Sequence, residues 1–225
     1  MLEGRITNLN EVFKTEMDLK LLASTPAAAL GSCRRKLPKM GEDDAVYEKL
    51  FNFFKANNIH YFFYIGGNDS MDTVAKLSRY IAAHDYDMRV VGLPKTIDND
   101  LPLPAGAPTF GYESAMDKGA VIGRAVYMDA RTSGNWFILA AMGRSAGHLA
   151  CGIGAACHYP MIVIPEMFNK TEITIDKIVN LVISSIIKRK LMGMDYGAAM
   201  VSEGVFHSLS DEEIKNAGVN FSYDE

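Results

Sequence analysis

Short apolar runs alternate with longer amphipathic stretches along this chain from Ile59 onward. The short runs have the length and the β-branched and aromatic content of buried strands, and they lie at 61–65, 89–93, 136–141, 161–164 and 198–201. The longer stretches repeat apolar residues at the spacing of one helix face, and they predict helices at about 71–84, 108–128, 143–156 and 174–190. This alternation predicts an α/β fold, a three-layer, mostly parallel sheet with helices on both faces.

The first 40 residues lack this regularity, so we predict an irregular lead-in segment at 1–40 that belongs to the same domain as an α/β core at 41–225. A length of 225 residues suits one large α/β domain. Because 48% of the residues are apolar, the chain has enough apolar side chains for a sizeable core.

Composition and charge exclude several classes of partner. The formal net charge of −4 gives a mildly acidic surface, so we predict neither nucleic-acid nor membrane partners. The longest apolar runs are strand-sized and too short to span a bilayer, which predicts a soluble protein. The three cysteines form no C-x-x-C pair, and this favours small thiols in a reducing cytoplasm over zinc or disulfides.

Glycine or charge follows every predicted strand. Since ligands of an open parallel sheet bind at the carboxyl ends of its strands, these segments are candidate binding loops. They are Gly-Gly-Asn-Asp-Ser at 66–70, Pro-Lys-Thr-Ile-Asp-Asn-Asp at 94–100, Met-Gly-Arg-Ser-Ala-Gly at 142–147, Pro-Glu at 165–166 and Ser-Glu-Gly at 202–204.

The acidic loop at 94–100 has the most specific chemistry. Asp98 and Asp100 lie two residues apart with Lys95 upstream, and such a cluster holds a metal, positions a cation or takes a proton. A carboxylate within reach of a hydroxyl acts as a general base. The alternative is a solvated loop with turn-forming Asn and Asp residues.

The other segments also allow two interpretations. The glycines at 66–67 permit close approach of a ligand, and Ser70 would cap the next helix beside a phosphate, unless this is an ordinary glycine turn. Arg144 would stabilise a transferring phosphoryl group beside a helix start, or it is a surface arginine.

Glu166 and Glu203 would bind sugar hydroxyls or face water. His148 is predicted to be a structural histidine, and Asp69 is predicted to contact Lys95 across neighbouring strands.

Together the segments at 66–70, 94–100, 142–144 and 202–204 resemble the phosphofructokinase family in order and approximate spacing, and Leu-Gly-Ser-Cys-Arg at 30–34 resembles a further landmark of that family. The resemblance spans nearly the whole chain. It implies a partial phosphofructokinase-like fold that phosphorylates fructose 6-phosphate to fructose 1,6-bisphosphate, a step of glycolysis.

The resemblance also implies a role for individual residues. Asp98 would take the proton from the 1-hydroxyl group, with Thr96 and Asp100 flanking it. Arg34 and Arg144 would stabilise the charge of the transferred phosphoryl group. The residues that would contact the sugar are Met142, Gly143 and Glu203, besides Lys95 and Asp100.

The phosphoryl donor implied by the resemblance is pyrophosphate rather than ATP. ATP-using relatives tend to carry glycine where this chain has Asp69 and Lys95. The Asp69 carboxylate adds bulk and negative charge where a nucleotide α-phosphate would lie, and the Lys95 cation suits pyrophosphate. The donor site would comprise Gly66, Gly67, Asp69, Ser70 and Lys95.

The expected cofactor is Mg²⁺. Asn68 stands where many relatives have a magnesium-binding aspartate. An amide is a weaker ligand for this cation, so the metal would be held mainly by pyrophosphate itself.

The family pattern is incomplete here, because no glycine-rich phosphate loop precedes Leu30 and the chain ends at Glu225, soon after the last motif. We therefore expect a fragment with little or no activity alone, from a homo-oligomer that is a dimer or a tetramer. Two alternatives stay open: an ATP-dependent 6-phosphofructokinase, and a non-catalytic homologue that binds sugar phosphates or regulates an assembly.

Overall fold

The computed structural model describes residues 1–168 and 172–218. The chain forms two compact units, Met1–Leu93 and Pro94–Glu225. The boundary between the units falls inside the strand Arg89–Thr96. The division into a lead-in at 1–40 and a core at 41–225 stays a prediction. None of the helices in the described residues has both the length and the apolar character needed to cross a membrane.

The first unit alternates helices and strands after two short N-terminal helices. Its elements are α1 (Leu9–Val12), α2 (Glu16–Ser24), α3 (Asp44–Ala56), β1 (Tyr61–Gly66), α4 (Asn68–Ala83) and most of β2 (Arg89–Thr96). β1 lies beside β2 in one sheet. The predicted strands at 61–65 and 89–93 and the predicted helix at 71–84 are confirmed.

The core of the first unit lies between α3 and α4. The sequence analysis did not predict α3, although its apolar residues recur at helix spacing. The buried side chains are Tyr47, Leu50, Phe51 and Phe54 of α3, and Leu77, Tyr80 and Ile81 of α4.

Residues at the end of the lead-in segment are tied to this core. Leu37 is buried, and its carbonyl oxygen accepts a hydrogen bond from Lys76 Nζ at 3.0 Å. Tyr47 Oη donates to the carbonyl oxygen of Pro38 at 2.6 Å. These bonds fix the chain directly after the basic residues 34–36.

β1 is not the fully buried strand that its apolar sequence predicts. Tyr61, Phe63 and Ile65 are 68%, 56% and 52% exposed, whereas Phe62 and Tyr64 are half-buried. Successive side chains of a strand point to opposite faces, and only one face of β1 packs on the core of its unit.

The second unit contains the remaining elements. They are β3 (Phe110–Gly111), α5 (Tyr112–Ser133), β4 (Trp136–Ala141), α6 (His148–Ala156), β5 (Met161–Val163), α7 (Ile175–Leu191), β6 (Gly197–Ser202), α8 (Glu203–His207) and α9 (Asp211–Asn216), with 3₁₀ turns at Pro104–Gly106 and Pro165–Phe168.

The strands of the second unit pair in parallel, which confirms the predicted α/β class. β6 lies between β4 and β5, and all six of its residues are buried. β3 pairs in parallel with the last residues of β2. Ala141 at the end of β4 is level with Ser202 at the end of β6, so the segments that follow these two strands begin side by side.

Two helices begin later in the chain than predicted. The helix predicted from residue 143 begins at His148, because Gly143 has φ +145° and residues 143–147 do not continue a helix. The helix predicted from residue 108 begins at Tyr112, directly after Gly111, which has φ +99°.

Candidate functional site

Residues 142–147, here called the glycine turn, follow β4 and lie beside the start of α8. The backbone N–H of Gly143 donates to Glu203 Oε2 at 3.1 Å. A side chain at position 143 would place its Cβ 2.4 Å from the backbone oxygen of Ala146, and φ is +145°, so only glycine fits. Ser202, which is fully buried, donates to the same Ala146 oxygen at 3.4 Å.

Two further carboxylates lie beside N–H groups of the glycine turn. The backbone N–H of Arg144 lies close enough to the Asp98 carboxylate to lower its pKa. Glu166 Oε1 accepts the N–H of Gly147 at 2.9 Å. The structure therefore brings together Asp98, Arg144 and Glu203, as the strand-end argument predicts. Glu166 instead accepts a hydrogen bond from the glycine turn, and its predicted contact with sugar hydroxyls stays a prediction.

Asp98 is a half-buried carboxyl group in an acidic environment. Burial raises the pKa of Asp98, and the nearby charges of Asp100 and Glu203 raise it further. The N–H and the charge of Arg144 oppose this rise without cancelling it. The result is a carboxylate that accepts protons more readily than an ordinary aspartate.

Glu203 is shifted in the opposite direction. Burial alone would raise the pKa of Glu203, but hydrogen bonds from His207 and Gly143 and the charges of His207 and Arg144 lower it below the usual value. His207 Nε2 lies 3.1 Å from Glu203 Oε1, one helical turn along α8. Glu203 is thus a stable anion beside a carboxyl group that protonates more easily.

Residues 96–100, here called the Asp loop, are held by side chains that the sequence analysis did not single out. Asn99 has φ +54°, which non-glycine residues rarely adopt. Its Oδ1 accepts the N–H of Thr109 at 2.9 Å, and Thr109 Oγ1, almost fully buried, donates to the Thr96 backbone oxygen at 2.7 Å. Thr96 Oγ1 accepts the N–H of Asp98 at 3.2 Å. One indication of this conformation was present in the sequence, because asparagine tolerates the left-handed backbone region better than most residues.

The remaining residues predicted for the second unit lie around the Asp loop and the glycine turn. Asp100 is half-buried and close enough to Asp98 to raise its pKa. Arg144 and Met142 are exposed, with Met142 at 61%. Lys95 is exposed near the end of β2, level with Phe110.

The segment at 66–70, here called the Gly-Gly segment, joins β1 to α4 in the first unit. Gly66 is buried, and a Cβ there would lie 2.0 Å from Ser70 Oγ, so Ser70 packs over Gly66. The prediction that Ser70 caps the helix is wrong. Gly67 occupies the N-cap position without a side-chain hydrogen bond, α4 begins at Asn68, and Ser70 lies inside its first turn.

Exposed charges flank the Gly-Gly segment. Asp69 forms an ion pair with Lys36 at 3.6 Å, a contact that the sequence analysis missed. The two side chains are 57% and 76% exposed, so solvent screens this pair. Arg34 is exposed near Lys36. Its role, and a contact between Asp69 and Lys95, which belong to different units, stay predictions.

The described residues contain no cluster of three or more His, Cys, Asp or Glu side chains that could enclose a metal ion. Asp98 and Asp100 form a pair of carboxylates instead. Such a pair suits a magnesium ion that keeps several waters and is held mainly by substrate phosphates. Asn68, at the first position of α4, stays a predicted ligand.

Comparison with known proteins agrees with this geometry. A sequence model described as Phosphofructokinase matches residues 1–220. The pyrophosphate–fructose 6-phosphate 1-phosphotransferase of Thermotoga maritima is 38% identical over 175 residues, which are 78% of this chain and 41% of that protein. The protein of the same name from Naegleria fowleri is 40% identical over 185 residues, which are 79% of this chain and 42% of its own.

A solved structure shows the same fold. The pyrophosphate-dependent phosphofructokinase of Nitrosospira multiformis superposes with a TM-score of 0.69 at 31% identity, covering 88% of this chain and 48% of that one. This chain therefore spans less than half the length of the relatives that it matches.

Proposed function

This chain belongs to the phosphofructokinase family, and we propose that its site serves the transfer of a phosphoryl group from pyrophosphate to the 1-hydroxyl group of fructose 6-phosphate, with little turnover by this chain alone. The products are fructose 1,6-bisphosphate and phosphate, and the reaction is a reversible step of glycolysis. The Thermotoga maritima and Naegleria fowleri relatives carry the name of this reaction, which supports the choice of substrates.

The observation that carries the proposal is the state of Asp98. Its carboxylate lies close to the Arg144 N–H and guanidinium, and its pKa is raised by burial and by the Asp100 and Glu203 charges. A general base works best when its pKa approaches the working pH, because it then combines ionisation with a strong pull on the proton. Asp98 takes the proton of the 1-hydroxyl group as the hydroxyl oxygen attacks phosphorus.

Arg144 and Glu203 have complementary roles. The exposed Arg144 guanidinium stabilises negative charge on the oxygens of the transferred group. Glu203 stays ionised because its pKa is lowered, and it accepts hydrogen bonds from sugar hydroxyls while holding the Gly143 N–H. Met142 and Gly143 are the proposed contacts of the sugar in the glycine turn, and Thr96 and Asp100 flank the base. The family resemblance also assigns Arg34 to the transferred phosphoryl group.

By the family resemblance, the residues proposed to bind the phosphoryl donor are Gly66, Gly67, Asp69, Ser70 and Lys95. The Asp69 carboxylate, which pairs with Lys36, takes up space and adds negative charge that oppose a nucleotide α-phosphate. Pyrophosphate is smaller and carries a denser charge, which suits the Lys95 cation that the resemblance assigns to the donor. The Nitrosospira multiformis protein, a pyrophosphate-dependent phosphofructokinase, also supports pyrophosphate.

Magnesium is the proposed cofactor. Asp100 would contact it, Asn68 is a weaker candidate, and pyrophosphate would supply most of its ligands. When bound, it neutralises charge on the phosphoryl oxygens. The full enzyme is proposed to be a cytoplasmic homo-oligomer, either a dimer or a tetramer.

The test of the reaction is a single-turnover experiment with the 225-residue chain. Protein at the concentration of the substrates is mixed with Mg²⁺, pyrophosphate and fructose 6-phosphate, and product is followed by ³¹P NMR, while calorimetry measures binding of each substrate. Asp98→Asn should bind fructose 6-phosphate as wild type does, and should lose about 10²- to 10⁴-fold in the transfer rate. An undiminished rate in Asp98→Asn, or no binding of either substrate by wild type, would reject the proposal.

The choice of pyrophosphate is tested by replacing both residues of the proposed discrimination. Asp69→Gly combined with Lys95→Gly should weaken pyrophosphate binding and allow ATP to bind. A donor preference that is the same in wild type and in the double variant would contradict the assignment. If that unchanged preference is for ATP, the result would favour ATP dependence.

A further inference from the structure

The first residue of α6 is hydrogen-bonded to the Asp loop. His148 Nδ1 lies 2.7 Å from the backbone oxygen of Asn99. A carbonyl oxygen only accepts hydrogen bonds, so Nδ1 carries the hydrogen and donates it. Asn99 directly follows Asp98, and the bond therefore acts one residue away from the proposed base.

The stretch 144–148 meets two successive residues of the Asp loop. The His148 ring donates to the Asn99 backbone, and the Arg144 N–H lies close enough to the Asp98 carboxylate to influence its pKa. The stretch between Arg144 and His148 is itself fixed, because Ala146 accepts from the buried Ser202 and the Gly147 N–H donates to Glu166.

The loop side of the His148 bond has an unusual backbone. Asn99 has φ +54°, a conformation that asparagine tolerates better than most non-glycine residues but that still costs free energy. Thr109 holds the Asn99 side chain at 2.9 Å. The His148 bond acts on the backbone of the same residue, at its carbonyl oxygen.

We propose that His148 is a positioning residue that fixes the Asp98 carboxylate against the Arg144 backbone. His148 does not touch the reacting atoms in this arrangement and acts through the Asn99 backbone. The inference rests on the proposed function only for the statement that Asp98 is the base. Its structural part concerns only the position of the Asp98 carboxylate relative to the Arg144 N–H.

Three substitutions separate this role from general stability. His148→Ala removes the hydrogen-bond donor, His148→Asn keeps an amide N–H near the position of Nδ1, and His148→Gln moves the amide one bond further out. His60→Ala is the matched control, because His60 Nδ1 makes the same kind of bond to the backbone oxygen of Asp87 in the first unit, at 2.6 Å.

The direct readout is the Arg144 amide in ¹H–¹⁵N NMR spectra of the full chain at pH 7. Wild type, His148→Asn and His60→Ala should show a downfield, slowly exchanging Arg144 amide. His148→Ala and His148→Gln should lose the downfield shift, and their Arg144 amide should exchange roughly tenfold faster or more, since its contact with the Asp98 carboxylate opens locally. An unchanged Arg144 amide in His148→Ala would overturn the proposal, as would equal behaviour of the Asn and Gln variants.

The second readout is the single-turnover transfer rate with pyrophosphate and fructose 6-phosphate. His148→Ala should lose about 100-fold, the cost of a misplaced catalytic group, with little change in the affinity for fructose 6-phosphate. His148→Asn should recover most of the rate. A purely structural role would lower the melting temperature alike in the Asn and Gln variants and would give no such selective rescue.

The two hypotheses fail in different ways. If the Arg144 amide behaves as expected and wild type binds neither pyrophosphate nor fructose 6-phosphate, the proposed function fails and the positioning role of His148 stands. If wild type transfers phosphate and His148→Ala matches it in both readouts, the positioning role is overturned and the proposed function stands.

Discussion

The glycine turn (142–147) and the Gly-Gly segment (66–70) both follow a strand and both depend on glycine, but their polar groups are held in different ways. In the glycine turn, the N–H groups of Gly143 and Gly147 donate to two different carboxylates, and the Arg144 N–H lies close to a third. The Gly-Gly segment has no side-chain cap on its helix, and its acidic side chain, Asp69, meets Lys36 in a mostly exposed ion pair.

The difference separates two ways of preparing a site for phosphate chemistry. Hydrogen bonds of partly buried groups fix geometry and shift pKa values, because solvent does not replace them readily. Exposed charges attract an anion without fixing it, because solvent and salt screen them. We therefore expect mutations in the glycine turn to have large effects on stability, and mutations in the Gly-Gly segment to act mainly on binding.

The largest effect on stability is expected for Gly143→Ala. The new Cβ would lie 2.4 Å from a backbone oxygen, at φ +145°. The free energy of unfolding in urea should fall by roughly 3 kcal/mol, given the strain of that conformation and the clash.

The matched control is Gly134→Ala, where φ is +68° and nothing lies within 4 Å of a new Cβ. This change should cost about 1 kcal/mol, from backbone strain alone. Equal losses in the two variants would mean that the glycine turn is not tightly packed.

Glu203→Gln should have the next largest effect on stability. This variant loses charge-assisted bonds to His207 and to the Gly143 N–H, and it should be roughly 1 kcal/mol less stable near neutral pH, since the partly exposed Glu203 is screened by solvent. The folded pKa of Glu203 is lowered, so its contribution is present above the unfolded pKa and disappears as the pH falls through the folded pKa. A loss that persists in acid would contradict this cause.

Asp98→Asn should have the opposite effect on stability. Because the pKa of Asp98 is raised in the folded state, its ionisation opposes folding as the pH rises. The variant should be more stable than wild type above the raised pKa, by up to about 1 kcal/mol after screening of this half-buried group, and equal to it in acid. Urea unfolding across pH measures both curves, and a stability loss at neutral pH would contradict the assignment.

The smallest effect is expected for Lys36→Ala in the first unit. The Lys36–Asp69 pair is mostly exposed, so stability should change by less than about 0.5 kcal/mol. Pyrophosphate affinity measured by calorimetry should fall, and the difference from wild type should shrink as salt is added. A large loss of stability would remove the contrast between the two segments.

Sequence patterns predict the local parts of this molecule well. The strand at 136–141 is found with the same limits, because Gly134 and Asn135 precede its apolar run and Gly143 follows one residue beyond the strand. The convergence of Asp98, Arg144 and Glu203 follows from a rule about strand ends that needs no side-chain detail.

What the sequence did not reveal are bonds between residues far apart in the chain. His148 donates to Asn99 over 49 residues, and Thr109 bonds Asn99 over 10, so no local spacing marks these residues. The exposed face of β1 was missed for a related reason, since an apolar run does not show which of its two faces is covered.

The most direct test of the account is to titrate the Asp98 carboxyl carbon by ¹³C NMR with and without fructose 6-phosphate. We expect a pKa above the ordinary aspartate value in the free chain, and a clear change of this resonance when the sugar phosphate binds. A carboxyl group that titrates at or below the ordinary value and does not respond to fructose 6-phosphate would contradict the assignment of Asp98 as the base.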